Sequence, residues 1–178
     1  MRTVTLCLLV LASAISLYGV VEATPSKSDR SLTDNDFVNF LRVVLTTVRG
    51  VNCTVNEVGE ILVLTSKYID EIGGCSTDVP KDIAKIIKSC NQIITICDNI
   101  IHLNSQLCSD EEGSSVTSTK CFLNLFSATV KLTRKIHDTL ELIAKLPSDT
   151  ETCFVDATND IEDSYNNFLP NINDCFNA

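Results

Sequence analysis

Tryptophan is absent from this chain, and aromatic residues make up only 6% of it. So few aromatic rings argue against a binding platform on which sugars or peptides would stack. Histidine is almost as scarce, because the sequence has only His102 and His137, and these fall on different predicted helices. We expect both histidines at the surface or its boundary rather than in a metal site.

Familiar catalytic and metal-binding motifs are missing as well. The sequence has no CxxC pair and no GxSxG, and two histidines do not support a Ser-His-Asp arrangement. Asp156, Asp160 and Asp163 share one predicted helical face and could hold a divalent cation, but a solvated acidic face is the simpler interpretation. We therefore expect a protein that is not an enzyme and that has no cofactor and no bound metal.

Positive charge is in short supply. The chain has 14 Lys and Arg against 23 Asp and Glu, which gives a net charge of −9. Such a chain is repelled by nucleic-acid phosphates, so we expect no nucleic-acid partner. Residues 116–146 have five basic side chains against two acidic ones, whereas residues 147–178 have seven acidic side chains and no Lys or Arg. We expect these segments to form neighbouring antiparallel helices whose opposite charges support their pairing.

The N-terminus has the features of a secretory signal over residues 1–23. Arg2 supplies positive charge, Leu6–Leu17 is apolar, and Val21-Glu22-Ala23 offers a cleavage site before Thr24. The apolar stretch is about twelve residues long, shorter than the roughly 18 to 20 that a spanning helix needs. The sequence therefore predicts a secreted, extracellular protein without a membrane span. Behind the signal we expect a flexible segment over 24–32 and a single helical domain over 33–178.

Cysteine, by contrast, is plentiful, with nine residues in the chain. Cys7 lies in the signal, which leaves an even number. An even set behind a secretory signal predicts a disulfide framework. The predicted disulfide cysteines are Cys53, Cys75, Cys90, Cys97, Cys108, Cys121, Cys153 and Cys175.

Spacing restricts how these cysteines pair. Cys90 and Cys97 are separated by about 10.5 Å along one helix, and a disulfide requires Cα atoms within about 7 Å, so each should bond to another helix. The same argument sends Cys53 and Cys75 elsewhere. A turn near residue 148 would place Cys121 beside Cys175. We expect that bridge first, with Cys108–Cys121 as the competing pairing.

Apolar residues recur at spacings of three and four and predict five helices. We expect the first to end at Gly50, the second to be capped by Thr54 and to stop at Gly73-Gly74, and the last to be broken near Pro170. The longest apolar face comprises Ile83, Ile87, Cys90, Ile94, Cys97, Ile101, Asn104 and Cys108, flanked by Ile86, Ile93, Ile100 and Leu107. The predicted fold is all-α, a mostly antiparallel five-helix bundle stapled by disulfides.

The wide apolar faces allow two interpretations. They are core by default, but bundles can also open a cavity between their helices. The predicted lining of such a cavity is Ile87, Ile94, Ile101, Leu132, Ile136 and Ile161. We accordingly expect an extracellular binding protein that carries a small hydrophobic ligand, such as a lipid or hormone. The alternative is an immune or reproductive effector whose acidic fifth helix binds a basic protein.

One glycosylation sequon occurs, at Asn52-Cys53-Thr54, with Asn52 as the acceptor.

The cysteine segments also resemble a known family. CFVDATNDIEDSYNNFLPNINDC over residues 153–175, with an aromatic residue after its first cysteine, resembles the C-terminal cysteine segment of the tsetse EP-type secreted insect domain. SCNQIITICDNII over 89–101 and the signal peptide are similar in style, and the resemblance covers about residues 50–177. Val155 and Asp156 stand where more aromatic residues are expected. The resemblance implies a small secreted insect protein of gut, haemolymph or reproductive fluid, in a family whose namesake has an immune link, and it implies no catalytic residues.

Overall fold

A computed structural model of the chain describes residues 34–108 and 116–177. These residues form α1 (Asp34–Val44), α2 (Val48–Cys75), α3 (Lys81–Leu107), α4 (Thr119–Ile143) and α5 (Thr152–Asn177). The predicted all-α bundle is confirmed, since the described residues contain no strand and only one isolated bridge, between Thr47 and Val116. The predicted signal peptide and the segment 24–32 lie outside the described residues.

The junction of the first two helices lies earlier than the sequence predicts. α1 ends at Val44, and Thr47 caps α2 by accepting a hydrogen bond from the Gly50 amide at 3.0 Å. Gly50 thus stands in the first turn of α2 rather than at the end of α1. A Cβ at this position would collide with the Val44 carbonyl, whose carbon would lie only 2.8 Å away. The predicted cap Thr54 is instead a buried residue inside α2.

Two expected helix breaks do not occur. α2 continues through Gly73 and Gly74 to Cys75, where a disulfide fixes its last residue. α5 likewise continues past Pro170 to Asn177. Pro170 is exposed, so the backbone carbonyl that it leaves without a helical partner lies on the solvent side of the helix.

The four long helices form a ring in which α4 packs along α3, α3 along α2, and α2 along α5. The contact between α4 and α5 is much smaller, and α1 lies against both of these helices. The predicted neighbours α4 and α5 are thus in contact only to this small extent, and no ion pair among the described residues joins them, so their opposite charges do not support the contact as predicted. The connection over residues 144–151 is long enough to bring α5 alongside α2 instead.

Two disulfides fix the antiparallel register of α2 and α5. Cys53 bonds to Cys175 near one end of the pair, and Cys75 bonds to Cys153 at the other, with Cα–Cα distances of 5.6 and 5.7 Å. Both helices carry their cysteines at the same spacing, so one antiparallel register satisfies both bridges. The expected Cys121–Cys175 bridge is therefore wrong, because Cys175 faces α2.

The third disulfide closes the α3–α4 hairpin. Cys108, directly after α3, bonds to Cys121 in the first turn of α4. This is the competing pairing that the sequence suggests. The Ser118 hydroxyl caps α4 by accepting a hydrogen bond from the Cys121 amide at 3.3 Å.

Cys90 and Cys97 form no disulfide, which contradicts the prediction of eight bonded cysteines. Both are fully buried on the inner face of α3. The other six cysteines lie at or near helix ends and are already paired with one another. Cys90 meets Tyr165 of α5 across the bundle rather than a cysteine.

A single apolar core draws side chains from all five helices. Its largest fully buried side chains include Tyr68, Phe154, Tyr165 and Phe168. In the part of the chain that the structure describes, no helix is long and apolar enough to cross a membrane.

Candidate functional site

The residues predicted to line a ligand cavity separate into two groups. Leu132, Ile136 and Ile161 are buried in the core. Ile87, Ile94 and Ile101 are only half-buried, and of these Ile87 and Ile101 pack against the edge of the core. The innermost face of α3 comprises Ile83, Ile86, Cys90, Ile93, Cys97 and Ile100. The structure therefore does not bring the six predicted residues together around one cavity.

Aromatic side chains explain this outcome. Tyr68 of α2 and Phe154, Tyr165 and Phe168 of α5 are at most 2% exposed. These rings occupy the space between the helices, where close packing leaves little room for a ligand. These four rings therefore belong to the core and do not line a surface site.

Polar groups cross this interior as hydrogen-bonded pairs. The Tyr165 hydroxyl lies 3.0 Å from the Thr65 hydroxyl and 3.5 Å from the Cys90 sulfur. The Ser89 and Thr139 hydroxyls lie 2.8 Å apart and link α3 to α4. Buried polar groups of this kind require partners, so these contacts fix how the helices face one another.

The same burial makes the free thiols chemically quiet. Burial raises the pKa of Cys90 to about 11, although its hydrogen bond with Tyr165 acts in the opposite direction. Burial, followed by the nearby Asp98 carboxylate, raises the pKa of Cys97 to about 12. At neutral pH both sulfurs are therefore protonated, and neither is a nucleophile.

A surface groove between α3 and α4 offers a different kind of site. Its apolar floor consists of Ile96, Phe126 and Val130, and basic side chains from one stretch of α4 stand around it. The groove has two contiguous parts of about 520 and 320 Å³, which share Ile96, Lys131 and Lys135. We call this groove the basic furrow; it is lined by Gln92, Thr95, Ile96, Phe126, Ser127, Val130, Lys131, Arg134, Lys135 and Asp138.

The charge of the basic furrow is opposite to that of the whole chain. Lys131, Arg134 and Lys135 face a single carboxylate, Asp138, in a chain whose net charge is −9. Lys135 contacts Asp138 at 3.8 Å, and among the described residues Lys131 and Arg134 have no carboxylate within ion-pair distance. The furrow therefore keeps positive charge that the carboxylates of the described residues do not neutralise.

One end of the furrow is bounded by aromatic residues and by α1. Phe126 stacks on Phe122 with their ring centroids 5.7 Å apart, and the Arg42 guanidinium lies 5.6 Å from the Phe126 centroid. This cation–π contact holds the Phe126 ring in place beside the floor.

The excess of basic residues over 116–146 did not by itself predict this groove. That excess predicts pairing with α5, whereas the structure turns the basic side chains toward solvent beside α3. The sequence signal for an amphipathic groove was the spacing of two pairs, because Phe126 and Val130 are four residues apart and so are Lys131 and Lys135.

A second groove, between α2 and α3, is mainly apolar. It is lined by Val55, Asn56, Gly59, Glu60, Val63, Leu64 and Ile101. Val63 is 66% exposed, so this groove is shallow. Ile101, one of the six predicted ligand residues, lines this groove, and its lining has no basic side chain.

The remaining candidate residues do not form a site. His102 and His137 are exposed, and His137 lies 3.5 Å from Glu141. Asp156, Asp160 and Asp163 are also exposed, and no cluster of metal-ligating side chains occurs within residues 34–108 and 116–177.

Asn52 is exposed in α2, whereas Thr54, the hydroxyl residue of its sequon, is only 1% exposed. In the folded protein the acceptor Asn52 is therefore accessible, whereas the threonine of its sequon is not. Glycosylation of Asn52 stays a prediction.

Comparison of the chain with protein-family models, with curated proteins and with solved structures finds no match. The tsetse EP-type resemblance stays a prediction, and the function of the chain has to be inferred from the geometry of the basic furrow.

Proposed function

We propose that this protein is a secreted, extracellular binding protein that carries a small hydrophobic ligand in the basic furrow and catalyses no reaction. The proposal rests on one observation, an open groove that combines an apolar floor with basic side chains around it. The volumes of its two parts, about 520 and 320 Å³, fall in the range of about 300–1,000 Å³ that is typical of small-molecule sites. Three disulfides, together with the predicted signal peptide, support an oxidising extracellular setting.

The furrow replaces the interior as the proposed binding place. Ile96, Phe126 and Val130 give a ligand an apolar surface without requiring the core to open. Each methylene that leaves water on such a surface gains about 0.8 kcal/mol, so a chain of several carbons suffices for measurable binding. The ligand stays partly in contact with solvent, and we expect micromolar rather than nanomolar affinity.

The proposal is tested with Nile red, a neutral dye that fluoresces in apolar surroundings. Val130→Asn makes the floor polar and is expected to weaken dye binding, whereas Leu123→Asn is the matched control. Leu123 is an exposed apolar residue of the same helix, 56% exposed, and does not line the furrow. If the wild type binds no dye, or if both variants weaken binding equally, the proposed site is wrong.

A second candidate function is an effector that acts through protein contact. The observation in its favour is the acidic outer face of α5, where Asp156, Asp160 and Asp163 are exposed and no Lys or Arg follows residue 146. A basic protein partner from an insect immune or reproductive setting would fit this face. Replacing the three aspartates with asparagine would abolish such a contact and leave dye binding in the furrow unchanged.

A further inference from the structure

We infer that the ligand of the basic furrow is a single-chain carboxylate whose head lies at Lys131 and Lys135 and whose chain lies over Phe126 and Val130. The inference rests on the proposed function and adds to it the charge, the shape and the orientation of the ligand.

The sign of the ligand charge follows from the side chains around the floor. Three cations and one carboxylate leave the furrow positive, and the Lys131 and Arg134 charges have no ion-pair partner within the described residues. A cationic head would be repelled here, and a neutral head would leave the charges solvated as they are. An anionic head gains from them, and the net charge of −9 disfavours binding of an anion to the molecule as a whole.

The position of the head follows from the residues that the two parts of the furrow share. Lys131 and Lys135 line both parts and are one turn apart on α4, so their ammonium groups can reach the same anion. Only 26% of the Lys135 side chain is exposed, so its aliphatic part packs along the groove. Arg134 lines only the larger part.

The direction of the chain follows from the difference between the two parts. The smaller part adds Gln92 and Thr95, which are polar and exposed, to the shared residues. The larger part adds Ser127, Arg134 and Asp138, but it also adds Phe126 and Val130, which are the apolar lining residues that the two parts do not share. An acyl chain therefore extends from the lysines toward Phe126, while the carboxylate remains near the polar end.

Asp138 is the one lining residue of the basic furrow whose removal should have the opposite effect to removal of a lysine. Its carboxylate lies 3.8 Å from Lys135 and is 65% exposed, so it competes with the ligand for the same ammonium group without supporting the fold. Its removal should strengthen anion binding, whereas the removal of Lys131 should weaken it.

The experiment compares three probes with one apolar chain and different heads: dodecanoate, dodecanol and dodecyltrimethylammonium. Affinities are measured by displacement of Nile red at low ionic strength. For the wild type we expect dodecanoate to bind most tightly and the cationic probe most weakly. Lys131→Gln should weaken dodecanoate by about twofold to fivefold, and Asp138→Asn should strengthen it by a similar factor, as for exposed ion pairs.

Both substitutions should change the affinity for dodecanoate more than the affinity for dodecanol, because the dodecanol head is uncharged. Lys120→Gln is the matched control, since Lys120 is an exposed cation of the same helix that does not line the furrow. The preference for dodecanoate should also shrink as salt rises, because the screening length falls from about 10 Å at 0.1 M to about 3 Å at 1 M.

The outcomes separate this inference from the proposed function. If none of the probes displaces Nile red, the proposed function itself is wrong. If all three bind equally, or if Lys120→Gln acts like Lys131→Gln, the furrow binds apolar chains but the inferred carboxylate is wrong. If dodecanoate fails to bind while the protein floats with phosphatidylserine vesicles, the furrow is a membrane contact and the inference is overturned.

Discussion

At the scale of single residues, Tyr165 holds together the polar part of the core. Its hydroxyl contacts Thr65 of α2 and Cys90 of α3, so one side chain of α5 touches both helices. Among the described residues, the Thr65 hydroxyl has no other hydrogen-bond partner. Removing the Tyr165 hydroxyl would therefore leave a buried polar atom unsatisfied.

We expect Tyr165→Phe to lower the free energy of unfolding by about 1–3 kcal/mol, the usual cost of a buried group left without a partner. Tyr68→Phe is the matched control. Tyr68 contacts Thr158 at 3.4 Å, but Thr158 also donates to the Phe154 carbonyl at 2.6 Å and so keeps a partner. Urea denaturation of both variants measures the difference, and an equal loss in the two would contradict the role given to Tyr165.

The buried thiols make stability depend on alkaline pH. Burial raises the pKa of Cys90 to about 11 and that of Cys97 to about 12, above the ordinary thiol value of 9.0. The unfolded chain therefore releases these protons at lower pH than the folded chain does. The stabilisation is complete below about pH 9 and is lost as the pH rises toward 11 and 12, by up to about 1.4 kcal/mol per group and pH unit.

Unfolding in urea at about pH 8 and about pH 10 tests this expectation. The wild type should be less stable at the higher pH. A Cys90→Ala and Cys97→Ala double variant is less stable at both values, because it loses packing, but the difference between the two pH values should shrink. An unchanged difference would show that other groups cause it.

At the scale of helices, the turn between α1 and α2 depends on one glycine. A Cβ on Gly50 would overlap the Val44 carbonyl, whereas a Cβ on Gly59, two to three turns later in α2, meets no atom within 4 Å. Alanine at position 50 thus requires the backbone to move, whereas alanine at position 59 fits without any movement.

We expect Gly50→Ala to destabilise the protein and Gly59→Ala to stabilise it by about 0.5–1 kcal/mol, because alanine is the better helix former. Thermal unfolding followed by circular dichroism compares the two variants directly. Stabilisation by Gly50→Ala would mean that the α1–α2 turn relaxes more easily than the backbone geometry indicates.

At the scale of the whole molecule, the disulfides contribute unequally to the free energy of unfolding. Cys53–Cys175 spans 122 residues, whereas Cys108–Cys121 spans only 13. With Cys75–Cys153 intact, the loop that Cys53–Cys175 closes is shorter than its full span, but it remains longer than the hairpin loop. The longer loop restricts the unfolded chain more strongly.

Replacing Cys53 and Cys175 with alanine should lower the free energy of unfolding by about 4 kcal/mol, and replacing Cys108 and Cys121 by about 3 kcal/mol. Chemical denaturation measures both, and peptide mapping without reduction checks the pairing. In the wild type, Cys90 and Cys97 should react with a thiol reagent only after unfolding. A peptide joining Cys121 to Cys175 would contradict the structure.

Features that depend on neighbouring residues could be predicted from the sequence alone. Apolar spacing of three and four positions specified five helices, because the helical period places such residues on one face. Spacing also excluded a bond between Cys90 and Cys97, because two residues seven apart on one helix are too distant. The Cys108–Cys121 pairing was within reach for a related reason, since the two residues flank one connection.

The rotation of each helix and the choice of its neighbours emerged only in the folded molecule. Ile86 and Ile87 differ by about 100° around α3, and each belongs to an apolar row. The sequence therefore did not determine which of the two rows faces the core. That rotation buried Cys90 and Cys97 and moved Ile87, Ile94 and Ile101 to its flank. Placing α5 along α2 instead of α4 fixed the disulfides and left the basic side chains of α4 facing solvent, because the neighbours of a helix depend on the apolar faces of all five together.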